Sequence, residues 1–156
     1  MWVLAFAFAV IQHSTAGPEL LAQALRDRST DEQTRQQAAL DLGCIGGDRA
    51  VRHLEAALRD AGPDTRAAIA TALGHTRSRL AVPVLIGIFA DDPARDEVCD
   101  ALVTLTHRTW CDGGDDDDAS LRRAWRRWWS QMKSSVEIHG PDTCDTTVRA
   151  SVLVRR

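Results

Sequence analysis

An internal repeat of about 30 residues constrains the fold of this chain more than any other feature. Three segments align in register: RQQAALDLG from Arg35, TRAAIATALG with its arginine at Arg66, and RDEVCDALV from Arg95. Three further columns match, namely Ala38 with Ile69 and Val98, Ala39 with Ala70 and Cys99, and Leu42 with Leu73 and Leu102. Agreement across these columns argues against an accidental likeness within a generic helical bundle.

Both halves of the repeat have the spacing of amphipathic helices. Ala38, Ala39 and Leu42 stand at positions i, i+1 and i+4 of the first half. Leu54 and Leu58 stand at i and i+4 of the second half, and a further copy of this half, ELLAQALRD, lies upstream. Apolar residues at this spacing form one face of a helix, so each copy predicts a helix pair.

Glycines and prolines indicate where these helices end. Gly43 and Gly74 fall where each first helix is expected to stop, because glycine accepts the left-handed conformation after a helix. Pro63 and Pro93 lie at the connections, where a missing N–H does least harm. A single helix pair cannot bury its own apolar face, so the pairs are predicted to stack into a continuous core.

The pattern resembles HEAT-like repeats of the short bacterial type, similar to those of phycobilisome-lyase-type proteins. The resemblance covers roughly residues 18–106 and is carried by Arg35, Ala38-Ala39, Leu42-Gly43, Ile45-Gly46, Ala50 and Leu54, with Asp60 closing the repeat. It implies an all-α fold, a short right-handed α-solenoid of about three helix pairs that binds partners along its concave face. It does not imply lyase activity, because the motif residues are core and turn positions.

The N-terminal segment differs from the repeats. Its first eleven residues, MWVLAFAFAVI, carry no charged side chain, and small residues, STA, precede Gly17 as a signal peptidase requires. No basic residue precedes Arg26, and the run is too short to span a bilayer. We expect residues 1–16 to be a signal peptide or hydrophobic anchor, the alternative being a buried first helix. If residues 1–16 are a signal peptide, we expect an exported protein, either periplasmic or secreted. If they are not, we expect a cytoplasmic protein.

A helix rich in tryptophan and arginine is predicted from Ala119 to about Ser134. Its apolar stripe consists of Leu121, Trp125, Trp128 and Met132, widened by Trp129. The basic residues Arg122, Arg123, Arg126, Arg127 and Lys133 lie off that stripe. The pattern predicts a capping helix that covers the last repeat while its arginines face water. Bacterial HEAT-like proteins often follow their last repeat with a similar helix, so the resemblance implies the same cap.

Two functional alternatives for this helix are an anionic membrane surface and single-stranded nucleic acid. The acidic run from Asp112 to Asp118 weakens both, because it lowers the local positive potential. The same run does not match the spacing of calcium ligands in an EF-hand loop, so we expect a solvated loop. The net charge of −3 does not imply a nucleic-acid or membrane partner by itself.

The predicted organisation has four parts. Residues 1–16 are the signal or anchor, 17–106 the HEAT-like array, 107–134 the acidic loop and capping helix, and 135–156 a tail. In the tail, β-branched residues at partly alternating positions suggest a short hairpin around Gly140-Pro141. A disordered or partner-binding tail is the equal alternative.

Four cysteines are present, Cys44, Cys99, Cys111 and Cys144. Cys44 and Cys99 belong to first helices two repeats apart, which is too far for a disulfide between them. Cys111 and Cys144 flank the tryptophan-rich helix, and we predict that they pair if the protein is exported. Cys99 shares its column with alanines, which favours a small core residue.

No metal site is expected from the sequence. His107 and Cys111 have the i, i+4 spacing of ligands to one metal, but no second pair accompanies them. Cys44 and His75 occupy equivalent repeat positions, and the sequence places them about one repeat apart, too distant to share a metal.

Catalytic motifs are absent from the sequence: it contains no G-x-S-x-G, no glycine-rich phosphate loop and no H-E-x-x-H. We therefore expect a non-catalytic protein-interaction or scaffolding module without cofactor, whose partner is a protein or peptide. Its predicted contact residues are Arg35, Asp41, Arg66 and Arg95 on the inter-repeat ridge.

Two alternatives to this function stay open. One is an accessory or lyase-like enzyme component with a cleft near Cys44 and His75. The other is membrane or nucleic-acid association through the Trp/Arg helix. Nucleic acid is not expected, and membrane contact is expected only through the N-terminal hydrophobic segment.

Overall fold

A computed structural model describes residues 16–89, 93–112, 117–141 and 144. All regular structure in these ranges is helical. The helices are α1 (Ala16–Arg26), α2 (Glu32–Ile45), α3 (Gly47–Ala57), α4 (Pro63–His75), α5 (Ala81–Ile88), α6 (Arg95–Thr106) and α7 (Asp118–Met132), with a 3₁₀ turn at Trp110–Asp112. The N-terminal segment, apart from Ala16, lies outside the described residues, so the signal-peptide prediction stays a prediction.

The helices stack in two layers. Helices α2, α4 and α6 carry the three aligned repeat copies and pack closely side by side in one layer. Helices α3, α5 and α7 follow them in the second layer, and α1 packs against both α2 and α3. The array is thus a half-repeat followed by three helix pairs. The predicted all-α HEAT-like solenoid is confirmed.

The repeat columns form the core between the layers. The core columns that align across the copies are buried, including Ala39, Ala70, Leu42, Leu73 and Leu102, each with no exposed surface. Leu54 and Leu85 meet them from the second layer and are equally buried. The helical periodicity therefore identified the core correctly, because the same face of each helix must meet the next pair.

Gly43 and Gly74 have a different role from the predicted one. Both lie inside their helices and are buried, so neither ends a helix. A Cβ at Gly43 would lie 2.5 Å from the carbonyl oxygen of Ala72, and one at Gly74 would lie 2.9 Å from the Cα of Ala101. Glycine is needed here because neighbouring helices approach closely. Gly46, with a φ of +73°, is the residue that ends α2.

Two aspartates cap helices of the array. Asp31 accepts a hydrogen bond from the Thr34 backbone N–H at 2.9 Å, at the start of α2. Asp117 does the same for Ser120 at 2.7 Å, at the start of α7. Hydrogen bonds from Ser120 lower the pKa of Asp117, which keeps the cap negatively charged near the positive end of the helix. Part of the acidic run is therefore a helix cap.

The chain after α7 folds back across the ends of the first-layer helices. The His139 backbone N–H donates to the Leu105 carbonyl oxygen at 2.9 Å, and its ring stacks on His107 with centroids 3.8 Å apart. Arg79 donates to the carbonyl oxygen of Val136 at 2.8 Å, and Arg77 donates to that of Pro141. Residues 136–141 contain no strand, and the second half of the predicted hairpin lies outside the described residues.

The disulfides differ from the predicted pairing. Cys44 is bonded to Cys144 and Cys99 to Cys111, with Cα–Cα distances of 5.5 and 5.8 Å. The predicted bond between Cys111 and Cys144 is therefore wrong. The 3₁₀ turn brings Cys111 back onto α6, whereas the returning tail carries Cys144 across to the end of α2. As expected, Cys44 and Cys99 do not pair with each other.

We expect peptide mapping to find these two bonds in the purified, unreduced protein. Trypsin cleaves after arginine or lysine between every two successive cysteines, so each cysteine falls on its own peptide. Mass spectrometry should detect the Cys44 peptide linked to the Cys144 peptide, and the Cys99 peptide linked to the Cys111 peptide. Reduction should separate both pairs. A linked Cys111–Cys144 peptide as the main product would contradict the fold of the tail.

Candidate functional site

A shallow groove of about 260 Å³ separates α5 from α7 on the second layer. Its walls come from one side of each helix: Pro83, Ile86 and Gly87 on α5, and Arg126, Trp129, Ser130 and Lys133 on and just after α7. Small side chains on α5 leave the space open, because Gly87 has no Cβ and Pro83 is compact. Ile86 is buried at the base, and Trp129 is partly buried against the core.

The rim of this groove is positively charged. Arg126 and Lys133 are exposed, and neither has an ion-pair partner within the described ranges. Lys133 also contributes its backbone carbonyl oxygen, which accepts a hydrogen bond from Arg79 and so joins the end of α7 to the α4–α5 turn. An apolar base between two cations suits an apolar side chain flanked by carboxylates.

Trp110, Trp125 and Trp128 form the end of the core. Trp125 is fully buried and its ring centroid lies 5.2 Å from that of Trp110 and 5.5 Å from that of Trp128. The Arg108 guanidinium lies over Trp110 at 4.5 Å. These rings pack against one another. The contacts therefore favour the capping role predicted for this helix.

The repeat arginines make contacts within the chain. Arg66 donates to the carbonyl oxygen of Leu58 at 2.6 Å, at the C-terminal end of α3. Arg95 pairs with Asp118 at 2.5 Å, which holds the pKa of Arg95 above its ordinary value. These side chains therefore tie successive helices together, a role that the column alignment did not reveal.

Arg35 and Asp41 also have partners on their own helix. Arg35 is largely buried and pairs with Glu32, whose pKa is lowered mainly by the hydrogen bond from Thr65. Asp41 accepts a hydrogen bond from Gln37 at 3.0 Å. The binding of a partner by Arg35, Asp41, Arg66 and Arg95 stays a prediction.

A second cluster lies where the tail meets the first layer. The ligand atoms of Cys44, His75 and Cys144 lie within 4.8 Å of one another. The expectation that Cys44 and His75 are too far apart is wrong, because α2 and α4 approach closely where Gly43 meets Ala72. Burial lowers the pKa of His75, so its imidazole is neutral at neutral pH.

The groove and the cluster of Cys44, His75 and Cys144 were both missed from the sequence, because each depends on how neighbouring helices pack. The sequence placed Arg126, Trp129 and Lys133 on one helix, but nothing in it indicated that Pro83 and Gly87 would face them. Likewise, the equivalent repeat positions of Cys44 and His75 were visible, but not the helix spacing. The one available signal was the glycine of the Leu-Gly pair, which marks close approach as well as helix ends.

Two stacked layers of repeated helix pairs define an α-solenoid. The family model of HEAT repeats matches residues 18–105, which is more than half of the chain, and this protein belongs to that family. Among curated proteins, none matches the chain significantly. HEAT repeats generally mediate protein interaction and scaffolding. In the described part of the chain, no helix combines the length and apolar character needed to cross a membrane.

Proposed function

We propose that this protein is a non-catalytic interaction module that binds an acidic, partly apolar segment of a partner protein in the groove between α5 and α7. The observation that carries the proposal is the half-buried Trp129, which lies between the cations Arg126 and Lys133 and above the apolar base at Ile86. Tryptophan and arginine are the residues most enriched among those that dominate binding energies.

The size of the groove indicates what it binds. A volume of about 260 Å³ accommodates a few side chains and not a folded domain. The occupant is therefore a short segment with one or two apolar anchors, and aspartate or glutamate beside them pairs with the basic rim. Exposed ion pairs contribute modestly to affinity, so the apolar anchor supplies most of it and the charges select the partner.

We also propose that the protein is exported and that it shares its ancestry with short bacterial repeat proteins. Export is supported by the two disulfides, because such bonds persist in oxidising compartments. The small-residue motif before Gly17 supports the same compartment. The ancestry is proposed from the likeness to short bacterial repeats of the phycobilisome-lyase type. This likeness assigns no lyase chemistry to the protein.

The test uses labelled peptides of equal length in which leucine alternates with glutamate, glutamine or lysine. Fluorescence anisotropy should give the tightest binding for the glutamate series. Arg126→Glu/Lys133→Glu should weaken its binding at least about tenfold and improve that of the lysine series. Trp129→Ala should weaken binding of the glutamate and glutamine series alike.

Arg123→Glu/Arg127→Glu is the matched control, because it makes the same change of net charge on the same helix away from the groove. Circular dichroism should show equal helix content in every variant. Equal losses in the two charge-reversed proteins would indicate nonspecific electrostatics and overturn the groove as the site. A lack of preference for the glutamate series would overturn the partner chemistry.

A further inference from the structure

We propose that Cys44, Cys144 and His75 bind one Zn²⁺ ion when the Cys44–Cys144 disulfide is reduced. The three ligand atoms already lie within 4.8 Å of one another. Thiolate and imidazole are the ligands that zinc prefers in proteins. The inference goes beyond the peptide-binding function, because the cluster belongs to the first layer and the groove to the second.

The spacing of the three ligand groups fits tetrahedral coordination of one zinc ion. Zinc binds sulfur at about 2.3 Å and nitrogen at about 2.0–2.1 Å, which separates ligand atoms by roughly 3.4–3.8 Å in a tetrahedron. The two sulfurs need only move apart after reduction, and the Cα–Cα distance of 5.5 Å permits this by side-chain rotation. The fourth position remains for water or another small ligand.

The three ligands are positioned by two contacts that do not depend on the disulfide. Cys44 and His75 are held near each other by the packing of α2 on α4 at Gly43 and Ala72. Cys144 is kept nearby because Arg77 binds the Pro141 carbonyl oxygen, three residues before it. The returning tail therefore presents its thiol to the other two groups after reduction.

The disulfide and the metal are alternatives on the same two sulfurs. A dithiol reductant gives two electrons and two protons to Cys44 and Cys144 and is itself oxidised to a disulfide. Zinc then binds both sulfurs as thiolates and releases the two thiol protons, while His75 binds through its neutral nitrogen. A chain that has not yet been oxidised thus holds the metal where the mature chain holds the bond.

The second disulfide provides an internal comparison. Among the described residues, no histidine, third cysteine or carboxylate joins Cys99 and Cys111 in a cluster of the same kind. This pair therefore supplies at most two ligands, and zinc is expected to select the first cluster. Cys99 occupies a column of alanines, so Cys99→Ala/Cys111→Ser removes the competing thiols with little change of volume.

The full chain carrying Cys99→Ala/Cys111→Ser is first reduced, and the reductant is then removed in the absence of oxygen. Zinc binding is measured by titrating Zn²⁺ in competition with a chromophoric chelator. We expect one ion per chain, and none in the oxidised protein. Co²⁺ should give the charge-transfer and d–d bands of a tetrahedral site with thiolate ligands. His75→Ala should weaken Zn²⁺ binding at least about tenfold, since each ligand fixes the ion.

His53→Ala is the matched control, because this histidine contacts Glu19 and lies outside the cluster. Circular dichroism of each reduced variant shows whether the helices remain, and Cys144→Ser tests the same site from the tail without changing the repeats. Zinc binding that survives His75→Ala and Cys144→Ser unchanged would overturn the proposal. So would reduced, helical protein that takes up no zinc.

Discussion

Trp125→Ala should lower the free energy of unfolding by about 4 kcal/mol, which is a large loss for a single substitution. The Trp125 side chain is fully buried and its ring meets those of Trp110 and Trp128. Its removal leaves a cavity where α7 joins the stack and releases both neighbouring rings. Denaturant unfolding of the disulfide-bonded protein, followed by circular dichroism, measures the loss.

Trp125→Phe separates the packing of this side chain from its polarity. The indole Nε1–H is buried and meets no acceptor in the described part of the chain. Phenylalanine retains most of the apolar surface and removes this unsatisfied donor, so we expect a loss of only about 1 kcal/mol. If phenylalanine were as damaging as alanine, the ring surface would not be the source of the stability.

Gly43→Ala should destabilise the protein by about 3 kcal/mol, because the added methyl group cannot be accommodated without moving a helix. Its Cβ would lie 2.5 Å from the carbonyl oxygen and 2.7 Å from the Cα of Ala72, both backbone atoms that cannot rotate away. Helices α2 and α4 must therefore separate. For a chain of this length, the melting temperature should fall by about 6–12 °C.

Gly87→Ala is the control for the helix propensity of the new residue. Gly87 lies in α5, and a Cβ there would meet no described atom within 4 Å. Alanine is the better helix former, so this change should leave stability unchanged or raise it by up to about 1 kcal/mol. Similar losses at Gly43 and Gly87 would show that close helix approach is not what Gly43 provides.

The repeat and its core were predictable because they depend on local periodicity. Leu42, Leu73 and Leu102 recur at one position of successive copies, and stacking makes each of them face the same core. The tryptophan-rich helix was predictable for the same reason, since its apolar stripe follows the helical period. The pattern shows which face is buried, but not which atoms of a neighbouring helix that face meets.

Contacts between distant segments were not predictable in this way. The sequence favoured pairing Cys111 with Cys144 because both flank one helix, but the returning tail carries Cys144 to Cys44. Glycine is compatible with a helix end and with close packing, and only the position of Ala72 showed which applies to Gly43. In each case the residue type allowed two structures, and a residue far away in sequence decided between them.

Side-chain periodicity was enough to identify a stack of HEAT repeats followed by a tryptophan-rich helix, because it sets which helix faces must be buried. Three features became visible only when the helices were packed together: the disulfide partners, the groove between α5 and α7, and the meeting of Cys44, His75 and Cys144. These features depend on the distance between helices and on the path of the tail. Both are set by packing across the whole stack, which local sequence patterns do not encode.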